Sequence, residues 1–260
     1  MQLVIDVGNT NIVFGLFHHH GLFKKWRFPT RQTLTHDELG GWLCVLFKEN
    51  RIHRTDILQI VISNVVVSLN SLFHAFFHEY FNSIQPIWIT PSLFSKMMSI
   101  EYENPQTLGA DRIVTAFAAF NLYKSALITV DCGTATTFGV VSSTGIFKGG
   151  AIAPGMQLFR EALFNTTRLP QIEYDCVPEQ VVGQSTKACL ESGLILGYVS
   201  MIDGMVYRMK QWMKSHQIGS PKIIATGGFS PFLNSISQVI DEIEPDLTLM
   251  GLYMIANLPL

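Results

Sequence analysis

The sequence predicts an α/β protein made of two similar halves, each built on a mixed sheet. A motif occurs twice: residues 5–10 read Ile-Asp-Val-Gly-Asn-Thr, and residues 130–136 read Val-Asp-Cys-Gly-Thr-Ala-Thr. Asp6 and Asp131 are therefore 125 positions apart. Each motif ends an apolar run and is followed by a β-rich run, a turn and a third strand. Strand and helix patterns then alternate, and no linker rich in Ser, Gly or Pro divides the halves, which is typical of α/β architecture.

The first half, which we assign to residues 1–115, opens with three strands. Thr35 and Glu38 form a capping box that predicts a helix start. Leu72, Phe76 and Phe77 share one side of a later amphipathic helix. In chain order, the predicted elements are strands at 2–7, 11–17 and 22–28, a helix at 35–48, a strand at 58–63, a helix at 69–80, a short strand at 86–90 and a helix at 109–123.

The second half, residues 116–260, repeats the three opening strands. Its long helical stretch contains Gly193, Gly197 and Gly204, whose spacing favours close packing, either at a dimer interface or against the sheet of the same chain. In chain order, the predicted elements are strands at 126–132, 136–141 and 146–153, a helix at 154–163, a loop or lid at 165–178, a helix at 185–212, a strand at 222–225 and a helix at 247–257.

Composition excludes several classes of protein. Apolar residues make up 48% of the chain and charged residues 15%, which argues for a large core and against disorder. The net charge of −2 gives no electrostatic footprint for nucleic acid. The four cysteines have no CxxC spacing, so a zinc site or disulfide framework is not expected. No signal peptide and no apolar run of ~20 residues is found, which predicts a cytoplasmic protein without a membrane span.

A run of three histidines, His18 to His20, lies between two apolar runs and just before Gly21. This position favours a hairpin tip, and a metal site is the alternative.

The repeated turn has the chemistry of a phosphate loop. Gly8 and Gly133 can adopt positive φ and have no Cβ, so a phosphate could approach the backbone N–H groups. Asp6 and Asp131 end strands, where a carboxylate can hold a cation. An ordinary hairpin turn is the alternative for either copy alone. The hydroxyls that could also donate to phosphate are those of Thr10, Thr134 and Thr136.

Residues 104–112 form a second candidate site. A loop rich in turn residues brings Gly109 to a helix start, where N–H groups favour anions. Asp111 could accept the proton of an alcohol, and Arg112 could hold a substrate carboxylate. The alternative makes Asp111 a partner of the helix dipole and Arg112 a surface residue.

Two glycine-containing segments complete the candidates. Gly149 and Gly150 flank a short strand, which indicates that the backbone lies close to a ligand or another strand; residues 154–155 suit a turn into a helix. Residues 226–228, Thr-Gly-Gly, follow a strand and could hold a nucleotide by backbone contact.

The duplicated β-β-β-α-β-α order resembles the actin, hexokinase and Hsp70 superfamily, with its ribonuclease H-like halves around a central cleft. Five motifs in order resemble the type III pantothenate kinase family over essentially the whole chain. They are Asp6-Val7-Gly8-Asn9-Thr10-Asn11, the Asn-Pro and Leu-Gly-Ala-Asp-Arg block at 104–112, Asp131 to Thr137, Gly149-Gly150 with Pro154-Gly155, and Thr226-Gly227-Gly228.

The resemblance implies phosphorylation of the terminal hydroxyl of pantothenate by ATP, the first step of coenzyme A synthesis, with Asp111 as the base. It also implies Mg2+ with ATP, a monovalent cation (K+ or NH4+) on Asp131, and a homodimer. The implied ATP contacts are Asp6, Val7, Gly8, Asn9, Thr10, Asn11, Ile12, Val13 and Thr134. The implied pantothenate contacts are Tyr102, Gly109, Ala110, Asp111, Arg112 and, across the dimer interface, Thr186.

One departure and two alternatives accompany this resemblance. The family has a proline where this chain has Val67, which could alter a turn. A non-catalytic regulator related to transcription accessory factors is one alternative, but it would be expected to lose Asp111, Arg112 or a phosphate-loop glycine. Another small-molecule kinase of the superfamily, such as a sugar kinase, is the second, and the short chain argues against it.

Overall fold

Two sheets with the same strand order form the frame of the protein. The structure is a computed structural model that describes residues 1–172 and 177–259. The chain divides into two units. Unit 1 contains residues 1–98, 104–118 and the segment from Thr248 onward, and unit 2 contains residues 99–103 and 119–247. The two-domain boundary at residues 115/116 falls within the helix that begins at Ala110.

Unit 1 begins with the three predicted strands, and the Thr35–Glu38 capping box is present. Val67 opens a short 3-10 turn, Val67–Leu69. The turn therefore forms without proline, although proline is well suited to the first position of a helix. The elements are β1 (Gln2–Val7), β2 (Asn11–His18), β3 (Gly21–Pro29), α1 (His36–Glu49), β4 (Gln59–Asn64), α2 (Asn70–Tyr80), β5 (Ile87–Trp88), α3 (Pro91–Met97) and, extending into unit 2, α4 (Ala110–Tyr123).

Unit 2 repeats this plan and adds one edge strand. Its helical stretch is interrupted by a π turn, Ser192–Leu196. The elements are β6 (Ser99–Ile100), β7 (Leu127–Cys132), β8 (Ala135–Val141), β9 (Ile146–Pro154), α5 (Met156–Thr166), α6 (Thr186–Glu191), α7 (Gly197–Ser215), β10 (Lys222–Thr226), α8 (Ser230–Leu233) and β11 (Glu242–Ile243); the last helix, α9 (Leu247–Ala256), continues into unit 1.

The strand orders confirm the duplication. Unit 1 has the order β3-β2-β1-β4-β5, and unit 2 has β9-β8-β7-β10-β11 with β6 added beside β9. In both sheets the first three strands pair antiparallel, and the fourth and fifth pair parallel. The predicted fold, two mixed sheets flanked by helices in an actin-like duplication, is therefore correct.

Each unit has its own apolar core. In unit 1, the strand residues that face α1 and α2 are buried with Phe73, Phe76 and Phe77 of α2. Phe76 and Phe77 are buried as predicted, and Leu72 is half-buried and packs against the same core. In unit 2, Tyr198 and the apolar face of α7 pack against the sheet.

The stretch Thr186–Ser215 is long and apolar enough, by length and composition alone, to span a membrane. A core helix passes the same test, and five α7 residues are buried in unit 2. The stretch is therefore weak support for a membrane span. The predicted loop at 165–178 overlaps the end of α5, and its residues 173–176 lie outside the described residues.

The last helix packs against unit 1. Thr248 Oγ1 lies 2.9 Å from Thr115 Oγ1 of α4, and the ring of Tyr253 stacks on Phe17 of β2 at 4.5 Å. A Cβ on Gly251 would lie 2.6 Å from the Val114 carbonyl oxygen. Only glycine therefore permits this approach of α9 to α4.

Candidate active site

The first turn, between β1 and β2, is a tight backbone loop. Val7 and Ile12 are its closing pair, and the Gly8 N–H donates to the Asn11 carbonyl oxygen at 2.9 Å. Thr30, directly after β3, holds the loop from the side. Its N–H donates to the Thr10 carbonyl at 2.9 Å, and its hydroxyl donates to the Gly8 carbonyl at 2.7 Å.

The second turn, between β7 and β8, follows the same plan with one residue fewer. Cys132 and Thr136 close it, and the Gly133 N–H donates to the Ala135 carbonyl at 3.2 Å. Gly155, which follows β9 as Thr30 follows β3, donates its N–H to the Thr134 carbonyl at 3.0 Å. A Cβ on Gly155 would lie 2.2 Å from the Gly133 carbonyl oxygen, so the two backbones are nearly in contact.

The structure corrects the expected backbone conformation of both turns. Neither Gly8 nor Gly133 has positive φ. A Cβ on Gly8 would lie 3.2 Å from the Asn11 carbonyl oxygen, a tight contact, whereas a Cβ on Gly133 would be 3.5 Å from the Ala135 carbonyl oxygen, an ordinary one. Positive φ occurs instead at the hairpin tips, Gly21 and Gly145, which occupy corresponding places in the two halves.

Thr136 cannot donate to a phosphate, contrary to the sequence prediction. Its side chain is fully buried, and its hydroxyl donates to the Pro154 carbonyl at 3.1 Å. Thr10 and Thr134 remain candidates for phosphate contacts.

Asp131 lies at the carboxyl end of β7, beside Thr226 at the end of the parallel strand β10. Gly227 has φ of +88°, and a Cβ there would lie 2.4 Å from Asp131 Oδ1. The Thr-Gly-Gly segment therefore meets Asp131 directly. The Asp131 carboxylate and the Thr226 hydroxyl are oxygen donors, the kind of ligand that hard cations prefer. Burial raises the pKa of the Cys132 thiol to about 12, which favours its protonated form.

Asp6 occupies the corresponding place in unit 1. It is paired in register with Ser63 of the parallel strand β4, so both side chains are on the same face of the sheet. Ser63 is fully buried, and within the described residues its hydroxyl has no hydrogen-bond partner. Carboxylate and hydroxyl oxygens together suit a hydrated divalent cation. Ser63 is not among the predicted site residues, because its place beside Asp6 depends on the pairing of β1 with β4.

Asp111 lies in the first turn of α4. Its Oδ1 accepts the Arg112 N–H at 2.8 Å, and a Cβ on Gly109 would lie 2.5 Å from the same oxygen. The carboxylate therefore folds back over its own helix start, which Gly109 makes possible. Burial raises the pKa of the Asp111 carboxyl, and the Arg112 backbone N–H and charge partly oppose that effect. A carboxylate with a raised pKa is a better proton acceptor than a solvated one.

The residues before and after Asp111 are also ordered. Asn104 accepts the Gln106 N–H and caps the short 3-10 turn Pro105–Thr107. Ala110 is buried, and Arg112 is half-buried with its Nε atom shielded from solvent. This position differs from the surface location that the alternative reading gave Arg112.

Tyr102 belongs to unit 2, although it precedes Asp111 in the chain. Its ring lies over the backbone of Gly149, where a Cβ would be 3.6 Å away, and 6.4 Å from the Phe147 ring. Gly150 fits tightly against β8, since a Cβ there would meet the Phe138 carbonyl at 1.8 Å. Gly150 therefore serves strand packing, whereas Gly149 has φ of +98° and lies beside Tyr102.

Thr186 is the exposed first residue of α6, and Ser185 caps this helix by accepting the Ala188 N–H at 3.2 Å. Among the described residues, no neighbour lies within 4 Å of a Cβ built on Gly193, Gly197 or Gly204. These glycines are therefore not explained by tight packing against their own sheet.

The candidates thus group by unit. Unit 1 holds residues 6–13 and 109–112, and unit 2 holds Tyr102, Asp131, Thr134 and Thr186. The histidine run forms the predicted hairpin tip. Across residues 1–172 and 177–259, no cluster of three or more His, Cys, Asp or Glu side chains could hold a metal ion.

Comparison with known proteins gives the family and the fold. A family model described as type III pantothenate kinase matches residues 2–208. A type III pantothenate kinase from Desulfosudis oleivorans is 42% identical over 259 residues, covering 99% of each chain. Among solved structures, a Campylobacter jejuni protein of the Baf family of transcriptional activators has a TM-score of 0.60 at 18% identity, covering 97% of this chain and 96% of its own.

A ROK family glucokinase from Streptomyces griseus has a TM-score of 0.52 at 10% identity, with 98% of each chain covered. Identities this low show the shared fold alone. The family model and the full-length relative carry more, and the chain belongs to the type III pantothenate kinase family.

Proposed function

We propose that this protein transfers the γ-phosphoryl group of ATP to the terminal hydroxyl of pantothenate, giving 4'-phosphopantothenate and ADP. This reaction is the first step of coenzyme A biosynthesis. The observation that carries the proposal is the full-length agreement with the family, at 42% identity over 99% of the chain. The intact set of candidate residues, from Asp6 to Thr186, supports it further.

Asp111 is the proposed base. Its Oδ1 is held by the Arg112 N–H, which leaves the second carboxylate oxygen to orient the pantothenate hydroxyl and accept its proton. Arg112 is proposed to bind the pantothenate carboxylate, for which a guanidinium fork is well suited. Gly109 and Ala110 contribute backbone at the helix start, where anions are favoured, and Tyr102 is the proposed wall of the pantothenate pocket.

The two turns are the proposed phosphate contacts, with residues 6–13 as the first and Thr134 in the second. Kinases of this kind use ATP with a divalent metal, which we propose to be Mg2+, near Asp6 and Ser63. Asp131 is the proposed ligand of K+ or NH4+. These cations neutralise phosphate charge when bound, and most of the rate enhancement in phosphoryl transfer comes from positioning and charge neutralisation.

We further propose a homodimer in which Thr186 reaches the pantothenate site of the partner subunit. Gly193, Gly197 and Gly204 have open space where side chains would be, and such a stripe permits a second helix to approach closely. Val181 and Val182, a few residues before Thr186, are 72% and 74% exposed. An apolar surface next to the glycine stripe fits an interface between two copies.

A coupled assay for ADP tests the reaction. The purified protein should produce ADP only when ATP, Mg2+, pantothenate and K+ are all present, and not when a panel of sugars replaces pantothenate. ADP production with a sugar instead would identify another kinase of the superfamily. No turnover with any acceptor, from protein that binds no ATP, would favour the regulatory alternative.

Subunit complementation tests the shared site. Asp111→Asn and Thr186→Arg should each be inactive alone, and mixing them after mild dissociation should restore activity, because one site of each mixed dimer has both native residues. Light scattering reports the dimer independently. A dimer whose mixture stays inactive would place Thr186 outside the partner's site.

A further inference from the structure

The largest fully buried side chain in the described chain belongs to Tyr198, near the start of α7. It follows directly on the π turn at Ser192–Leu196. A π turn inserts an extra residue into a helix, costs hydrogen-bond geometry and occurs frequently at functional sites. The turn separates α6, which begins at Thr186, from the part of the helix that faces the sheet.

The Tyr198 hydroxyl lies 2.7 Å from the hydroxyl of Thr136, and both side chains are fully buried. Thr136 has one hydroxyl proton, which it donates to the Pro154 carbonyl at 3.1 Å. Both contacts of Thr136 are satisfied when Tyr198 donates to its hydroxyl, and the Tyr198 hydroxyl also forms a side-chain hydrogen bond with the buried Cys132 thiol. The result is a directed chain from Tyr198 to Thr136 to Pro154.

This chain ends at the base of the second turn. Thr136 is the closing residue of that turn, paired with Cys132. The residue after Pro154 is Gly155, whose N–H holds the Thr134 carbonyl at 3.0 Å. One hydroxyl of α7 is thus connected to β8, which leaves the turn, and to the end of β9, which leads into Gly155.

Resting on the proposed function, we propose that Tyr198 is a positioning residue for the ATP phosphates, acting through Thr136 and Pro154 on the second turn. Tyr198 is fully buried and does not itself face solvent or a ligand. It orders Thr134, the proposed ATP contact, and the neighbouring Asp131, the proposed cation ligand. Burial also raises the pKa of the Tyr198 hydroxyl, which therefore stays protonated and remains a donor at any pH of interest.

Tyr198→Phe removes the hydroxyl, with its contacts to Thr136 and Cys132, and keeps the ring. The Thr136 hydroxyl then loses a buried partner, and the turn becomes less well ordered. We expect KM for ATP and the K+ concentration for half-activation each to rise by about 3- to 30-fold, the range that the loss of one buried hydrogen bond produces. KM for pantothenate should change by less than about twofold, because unit 1 supplies most of the proposed pantothenate contacts.

A matched control comes from the same unit. Tyr123 donates to Glu244 at 2.8 Å and packs on Lys222, at the beginning of β10 and not at its carboxyl end. Tyr123→Phe removes an equivalent hydroxyl and should leave KM for ATP unchanged. If KM for ATP rose equally in Tyr198→Phe and Tyr123→Phe, the cause would be a general destabilisation of unit 2, and the positioning role of Tyr198 would be wrong.

A double-mutant cycle tests the route through Thr136. Thr136→Val should reproduce the rise in KM for ATP, Thr136→Ser should restore it, and adding Tyr198→Phe to Thr136→Val should have little further effect. Additive effects would show that Tyr198 acts by another route. If Tyr198→Phe lowers the melting temperature while KM for ATP and the K+ requirement stay at wild-type values, the proposal is wrong.

Calorimetry of Mg–ATP binding tests the role of Tyr198 without an acceptor, so its result does not depend on whether pantothenate is the substrate. Weaker ATP binding by Tyr198→Phe supports the positioning role even if pantothenate proves not to be the acceptor. Unchanged ATP binding in a variant that folds overturns the positioning role, whatever the acceptor is.

Discussion

The two turns share one backbone plan but are held in place by different chemistry. In both, the glycine N–H bonds across the turn, and the residue after a proline donates its N–H to a threonine carbonyl. The first turn is braced by the Thr30 hydroxyl on the Gly8 carbonyl. The second turn has Gly155 in place of Thr30, and the backbone of Gly155 packs directly against the Gly133 carbonyl.

This difference shows how a duplicated motif can diverge without losing its geometry. The hydrogen bond from the Thr30 hydroxyl can be lost at modest cost, because a water molecule can donate to the partly exposed Gly8 carbonyl instead. A backbone-to-backbone contact tolerates no substitution, because any Cβ must displace a carbonyl. The second turn, with Asp131 also packed against Gly227, is therefore the more rigid of the two.

The largest effect should come from a residue outside both turns. Asp111→Asn keeps the size and the hydrogen bond from Arg112 but removes the base, so kcat should fall by about 10²- to 10⁴-fold. Mg–ATP affinity should stay within about twofold, since the turns are untouched. Steady-state kinetics and calorimetry measure both. Near-normal turnover would remove Asp111 from the mechanism.

Gly155→Ala and Thr30→Val test whether the backbone contact of the second turn contributes more to stability than the hydroxyl contact of the first. Gly155 has φ of −79°, so alanine meets no backbone strain, but its Cβ would clash with the Gly133 and Thr134 carbonyls. We expect a loss of about 1–3 kcal/mol in unfolding free energy from overpacking. Thr30→Val loses one hydrogen bond and should cost about 1 kcal/mol or less. Equal costs in denaturant titrations would contradict the difference in rigidity.

A smaller effect should distinguish Gly227 from Gly21. Both have positive φ, so alanine costs about 1 kcal/mol at either. No atom lies within 4 Å of a Cβ on Gly21, whereas a Cβ on Gly227 would meet Asp131 Oδ1. Gly227→Ala alone should therefore raise the K+ concentration needed for half-activation. If Gly227→Ala and Gly21→Ala needed the same K+ concentration for half-activation, Gly227 would have no role at the cation site.

The smallest effect concerns the titration of Asp111. Because burial raises the pKa of its carboxyl, kcat/KM should fall with decreasing pH at a higher pH than for an ordinary aspartate. A raised pKa in the folded state also means that ionisation of Asp111 costs stability. Asp111→Asn should therefore melt slightly above wild type at neutral pH, and the difference should vanish at low pH. If Asp111→Asn melted below wild type at neutral pH, the predicted cost of ionising Asp111 in the folded protein would be wrong.

Local patterns sufficed for most of the fold. The six opening strands of the two halves and the capping box at Thr35 were predicted to within two residues, because alternation and caps are properties of neighbouring residues. Helix α3 was missed although Thr90-Pro91 gave a usable start signal. Its seven residues are too few for a clear helical period.

Contacts between distant residues could not be predicted. The pairing of Tyr198 with Thr136 spans 62 positions and depends on a π turn that leaves no mark on apolar spacing. The contact of Gly227 with Asp131 depends on the order of the strands. The roles of the candidate residues came from family resemblance, and they stay predictions.

The packing of α9 has a consequence for biosynthesis. A chain emerges from the ribosome with its N-terminus first, and domains generally fold as units during synthesis. Unit 1 starts at Met1 but receives α9 only after all of unit 2 has emerged. The earlier unit in the chain is thus the later one to be completed. In a released chain truncated after residue 247, unit 2 should therefore resist proteases while unit 1 remains open to cleavage.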